Sequence, residues 1–205
     1  MAWVFSLILA TALPAIAASL HEDPIRLNLA ITSYMVSQAV FVAMSGWLTD
    51  RFGGRRVFLA AIVLFTLGSI ACGISQSFLQ LVLARILQGM GGAIMGPVGQ
   101  LLVLRTVPKD QLLRAMNYIF MPGMLGPLMG PPLGGFIVTY ASWRWIFFLN
   151  LPIAAAGFYL VRKFIPNIVE AENPPLDVRG FFLSGIGLSV LMLGLSTLGG
   201  HLLSP

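Results

Sequence analysis

Long uncharged stretches alternate with short charged ones along the whole chain. No Asp, Glu, Lys or Arg occurs from Leu27 to Thr49, and none from Val57 to Ala84. Where these two runs meet lies the knot Gly46-Trp47-Leu48-Thr49-Asp50-Arg51-Phe52-Gly53-Gly54-Arg55-Arg56. A helix needs about 20 apolar residues to cross the hydrocarbon core of a bilayer. The knot therefore reads as a tight turn joining two crossings. Counted this way, the apolar segments are seven: residues 1–20, 27–49, 54–74, 78–104, 112–140, 145–165 and 180–203. The least apolar stretch, 166–179, holds Glu170, Glu172, Pro174, Pro175 and Asp177. The pattern predicts an all-α integral membrane fold, with a six-helix bundle over 1–165, a cytoplasmic linker over 166–179 and a seventh transmembrane helix over 180–205. Ala15-Ile16-Ala17 resembles a signal cleavage site, but no positive region precedes it and the uncharged run is too long, so a first span is expected.

Composition sharpens this picture. Of 205 residues 58% are hydrophobic and 9% charged, against roughly 25% charged in soluble domains. The net charge of +5 predicts no nucleic-acid partner, because the basic residues are spread over short inter-helix loops. One cysteine, Cys72, forms no disulfide within the chain. His21 and His201 are too few and too far apart for a metal cluster, and no cofactor is expected. The partner the composition demands is the lipid bilayer.

The basic residues also set orientation. Arg51, Arg55, Arg56, Arg105, Lys109, Arg114, Arg162, Lys163 and Arg179 fall on one face; only Arg26 and Arg144 fall on the other. Cytoplasmic loops carry the excess of Lys and Arg, so the amino terminus is expected in the cytoplasm. Tyr140, Trp143, Trp145, Phe147 and Phe148 cluster at the turn between the fifth and sixth segments, which reads as an interfacial aromatic belt on the exterior side.

The twelfth basic residue, Arg85, is the one charge well inside a predicted span. An arginine there costs on the order of 3 kcal/mol and faces a cavity or a partner. Gln88 and Gly89 share its helix face. The alternative is snorkelling to the interface. The fourth segment is rich in glycine (Gly89, Gly91, Gly92, Gly96, Gly99), and so is the fifth. In the fifth, Gly126, Gly130 and Gly134 recur every four residues among Pro122, Pro127, Pro131 and Pro132. Such a face lets another helix approach closely, and the prolines are expected to bend it.

These motifs, in this order, resemble the major facilitator superfamily, in particular its fourteen-span drug:proton antiporters. The knot matches the superfamily loop G-x-L-x-D-R-x-G-x-R-R through Gly46, Leu48, Asp50, Arg51, Gly53, Arg55 and Arg56, with Gly54 where many members are basic. Arg85-Ile86-Leu87-Gln88-Gly89 matches R-x-x-Q-G. Gly126, Gly130, Pro131, Gly134 and Gly135 match the exporter pattern G-x-x-x-G-P-x-x-G-G, and residues 143–152 resemble the group's start of the sixth helix. The resemblance implies an alternating-access carrier of the bacterial inner membrane that exports lipophilic or cationic small molecules against protons. Asp50 and the nearby arginines would form a cytoplasmic latch. Arg85, with Gln88, Gly89, Tyr34 and Gln38, would line the cavity, and the fifth-helix glycines would form a bending seam.

Two departures stand out. The group carries an acid shortly before its A-L-P triplet; the triplet here is Ala12-Leu13-Pro14, and Phe5 takes the acid's place. Six spans plus one also make only an amino-terminal half, whose partner is the carboxy-terminal half of the same transporter. The rival readings are an uptake carrier of the same fold and a non-transporting membrane subunit. An intramembrane enzyme is disfavoured, because the spans offer no acid and no histidine besides His201.

Overall fold

The computed structural model describes residues 2–166, 179–181, 183, 185–191 and 194. Among these every regular element is helical. They are α1 (Ala2–Leu20), α2 (Pro24–Val42), α3 (Ser45–Phe52), α4 (Gly54–Ile74), α5 (Phe78–Thr106), α6 (Leu112–Tyr140), α7 (Trp145–Phe148) and α8 (Asn150–Phe164). α4, α5 and the α7–α8 pair are each long and apolar enough to cross a membrane, and α2 with α3 makes a fourth crossing if the pair is one span. α1 and α6, with 19 and 29 residues, reach about 28 and 43 Å at 1.5 Å per residue. The proposed linker lies almost wholly outside the described residues. The seventh segment is helical where it is described.

Two predicted helices are interrupted. The second breaks after Val42, and α3 leaves α2 at 51°. Ser45 Oγ donates to the Val42 carbonyl at 2.7 Å and Thr49 Oγ1 to the Ser45 carbonyl at 2.6 Å. Hydroxyls bonding back in this way bend helices and satisfy the carbonyls freed at a break. The sixth breaks at Leu149, where Pro152 has no N–H to offer the Phe148 carbonyl. α6, by contrast, runs unbroken through its four prolines.

α5 is the hub. It packs along both α4 and α2, while α1 lies along α6, and α4 also meets α7 and α8. Glycines set these distances. A Cβ on Gly91 would sit 2.5 Å from the Phe65 backbone nitrogen; one on Gly68, 2.6 Å from the Gln88 backbone; one on Gly89, 2.7 Å from the Tyr34 carbonyl. With no side chain in the way, the backbones come close enough for dispersion and short polar contacts to hold the helices together. The apolar core gathers Ala12, Ile16, Leu27, Ala30, Leu81, Trp143, Ile146 and Phe147.

The aromatic belt is thus only partly one. Tyr140 and Trp145 are exposed, but Trp143 and Phe147 are 4% and 2% exposed and plug the core. Trp143 Nε1 donates to Ser19 Oγ at 3.0 Å, and Arg144 Nη2 to the Ser75 carbonyl at 3.0 Å. The pair ties the ends of α1 and α4 to the α6–α7 turn.

Candidate functional site

Arg85 sits two turns into α5 and is 2% exposed, so it does not snorkel. Its Nε donates to the Ala30 carbonyl of α2 at 3.2 Å and its Nη1 to Gln88 Oε1 at 2.6 Å. Its guanidinium carbon lies 4.0 Å above the Tyr34 ring, a stacked position that favours a cation on the ring's negative face. Nη2 is buried and has no hydrogen-bond partner among the described residues. No carboxylate lies on α2, α4 or α5 within the apolar depth of the bundle. A π face and two neutral acceptors therefore hold the charge, and one donor is left over.

Helical spacing builds the cluster. Tyr34 and Gln38 stand one turn apart on α2, with Gln38 Nε2 donating to the Tyr34 hydroxyl at 3.2 Å. Arg85, Gln88 and Gly89 share one face of α5. The expected cavity residues Arg85, Gln88, Gly89, Tyr34 and Gln38 are thus brought together. Tyr34 is enclosed at 2% exposure rather than lining an open space. Ser37 bridges helices instead, donating to the Ile86 carbonyl at 2.8 Å.

The sequence reading missed the second half of the cluster. Gln88 Nε2 donates to Ser69 Oγ of α4 at 2.6 Å, and Asn150 Nδ2 at the start of α8 donates to the same oxygen at 3.2 Å. Cys72 Sγ approaches Gln88 Oε1 at 3.9 Å. The available signal was a buried amide and hydroxyl in apolar spans, since such groups find partners when they lie in lipid.

The knot is a separate assembly. Gly53 has φ 86°, a left-handed conformation that glycine adopts without steric cost, and it turns the chain from α3 into α4. A Cβ on Gly54 would lie 2.8 Å from Leu102 Cδ2, at the tip of that side chain on α5. Asp50 Oδ1 pairs with Arg105 Nη2 at 3.3 Å, joining α3 to α5. Arg55 Nη2 donates to the Arg162 carbonyl at 2.7 Å, joining α4 to α8. Arg51 stacks 5.2 Å from the Trp47 ring, while Gly46, Arg51 and Arg56 are exposed. In α6, Gly130 and Gly134 are buried; Pro131 and Gly135 are exposed, and Gly126 shares the helix. That seam faces α1 more than α5, so it is not part of the Arg85 cluster.

The chain is 48% identical to MdtD of Serratia proteamaculans and 49% identical to MdtD of Salmonella typhimurium, proteins named for multidrug resistance. In each case the match covers 90% of this chain and 39% of the relative. The chain thus spans about two fifths of these curated relatives. Among solved structures, a POT family transporter in complex with a thioalcohol-conjugated peptide superposes with a TM-score of 0.69 at 21% identity, over 98% of this chain and 45% of that one. The profile described as Major Facilitator Superfamily matches residues 1–203, and with the motifs in their places along a matching fold, the chain belongs to the major facilitator superfamily.

Proposed function

We propose that this chain is the amino-terminal half of an exporter of lipophilic or cationic small molecules, driven by protons and working by alternating access. It lies in the bacterial inner membrane with its amino terminus in the cytoplasm. The observation that carries the reading is Arg85, a buried cation whose Nη2 has no hydrogen-bond partner among the described residues. A charge kept at such depth has a function or a partner to offset its cost. Carriers place substrate between their two halves, and the unused donor suits a group from that interface. No predicted span of this half contains an acid. The carboxylate that exchanges the proton therefore comes from the carboxy-terminal half. Asp50 with Arg105, and Arg55 with the end of α8, serve as the cytoplasmic latch that each transport cycle must release. Gly130, Pro131 and Gly134 give the seam where α6 moves.

The test is export of a lipophilic cationic dye by the full-length carrier in everted vesicles under an imposed pH gradient. Arg85→Ala is expected to lower the initial rate at least about tenfold, the scale of a lost buried charge contact. Arg85→Lys keeps the charge but not the fork and should recover little. Unchanged export in a well-folded Arg85→Ala carrier ends the central role given to Arg85. Dye movement in the opposite sense favours the uptake carrier.

A further inference from the structure

On α4, Thr66 Oγ1 donates to the Ile62 carbonyl of its own helix at 2.7 Å. Thr49, Thr106 and Thr139 bond back one turn in the same way, a common use of a hydroxyl within a helix. Ser69 Oγ, also on α4, accepts from two other helices instead. Gln88 Nε2 of α5 lies 2.6 Å away and Asn150 Nδ2 of α8 lies 3.2 Å away. A hydroxyl oxygen has two acceptor sites, and these amides fill both. All three residues are buried. Glycine makes the contact possible: a Cβ on Gly68 would sit 2.6 Å from the Gln88 backbone. α4 therefore runs close enough to α5 for a side chain as short as serine to reach the amide. Asn150 reaches inward because the chain breaks at Leu149 and restarts there as α8. Near the other end of α8, the Arg162 carbonyl accepts from Arg55 Nη2 of α4 at 2.7 Å. α8 is thus tied to α4 near both of its ends.

We propose that Ser69 and Asn150 are positioning residues for Arg85: they anchor the amide of Gln88, which fixes where the guanidinium points over the Tyr34 ring. The inference rests on the central role given to Arg85. The direction of the bonds supports it. Arg85 can only donate, so its Nη1 requires Gln88 Oε1, 2.6 Å away, and Gln88 Nε2 is left to face Ser69. A glutamine side chain has several rotatable bonds, and with its far end free it would follow any shift of the guanidinium. Bound to Ser69, Gln88 can move only by giving up a buried hydrogen bond. Asn150 adds α8 to this anchor, although Ser69 already has a partner in Gln88. Loss of the Asn150 amide therefore loosens the anchor while Arg85 Nη1, Gln88 and Ser69 each keep a partner. Both residues act through Gln88 and not on the substrate.

The experiment follows dye export by the full-length carrier in everted vesicles under a pH gradient, over a range of dye concentrations, together with thermal unfolding in detergent. Asn150→Leu is expected to unfold near the parent temperature. Its maximal rate should fall at least about fivefold, within the range that a small misplacement costs, with the half-saturating dye concentration unchanged. Added to Arg85→Lys, it should lower the rate no further, because no guanidinium remains to be positioned. Ser69→Ala is expected to lose export in the same way, and Ser69→Thr, which restores the oxygen, to recover most of it. Packing alone predicts the reverse order, since threonine adds a methyl to a site with no free surface. This second pair decides the matter if Asn150→Leu does not fold. The proposal is overturned if well-folded Asn150→Leu exports like the parent, if its loss is equal with and without Arg85→Lys, if only the half-saturating concentration changes, or if Ser69→Thr exports no better than Ser69→Ala. Unchanged export by Arg85→Ala would remove the central role of Arg85 and this inference with it. Loss in Arg85→Ala beside normal export in Asn150→Leu and Ser69→Ala would remove this inference alone.

Discussion

Gln88 uses both ends of its amide, Oε1 accepting from Arg85 and Nε2 donating to Ser69, each at 2.6 Å. Replacing it by leucine strands Arg85 Nη1 and removes one donor from Ser69 Oγ. An unsatisfied buried group costs about 1–3 kcal/mol. Gln88→Leu is therefore expected to lower the thermal unfolding temperature of the detergent-solubilised protein clearly. Gln88→Glu keeps an acceptor toward Arg85 and adds a countercharge; Ser69 can turn its hydroxyl to donate. Its unfolding temperature should stay near that of the parent. If leucine is tolerated as well as glutamate, the amide is filler and the network has no structural weight. Arg85 could be picked out beforehand because a lone charge in an apolar run has few innocent explanations. Ser69 and Asn150 could not, since serine and asparagine in spans are common and their partners lie 19 and 81 residues away in sequence.

At the scale of helices, α5 makes an internal comparison possible. Gly91 and Gly96 share the helix, yet a Cβ on Gly91 meets the Phe65 and Ala61 backbones within 2.8 Å, while one on Gly96 meets nothing within 4 Å. Gly91→Ala must push α4 from α5 and should destabilise by about 1–3 kcal/mol, as overpacking does. Gly96→Ala removes backbone freedom from the unfolded chain at no steric cost and should gain roughly 0.5–1 kcal/mol. Equal unfolding temperatures for the two variants would show that the glycines do not set the α4–α5 distance. The run of apolar residues located α4 at 54–74, and Gly54–Ile74 is what forms. The break between α2 and α3 was not legible, because no proline marks it. It depends on where Ser45 and Thr49 find carbonyls. Trp143 and Phe147 misled for a related reason. Aromatic residues near a span's end look alike whether they face lipid or core, and only the Ser19 hydroxyl waiting for the indole N–H decides.

For the molecule as a whole, the charge pattern makes a claim that helix packing cannot. Packing is the same whichever way the bundle is inserted; the nine basic residues against two are not. Holding cationic loops on the cytoplasmic side is favoured by the membrane potential, at about 2.3 kcal/mol per charge per 100 mV, and by the anionic inner leaflet. An inverted bundle would forfeit that for several loops at once. Both probe sites needed to test it are exposed: Lys109 between α5 and α6, and Ser142 between α6 and α7. The native thiol does not interfere, because Cys72 is fully buried. In intact cells, an impermeant maleimide is expected to label Ser142→Cys rapidly and Lys109→Cys only after permeabilisation. The reverse pattern would turn the bundle over, placing the Asp50–Arg105 pair outside the cell. There it could not act as a cytoplasmic latch.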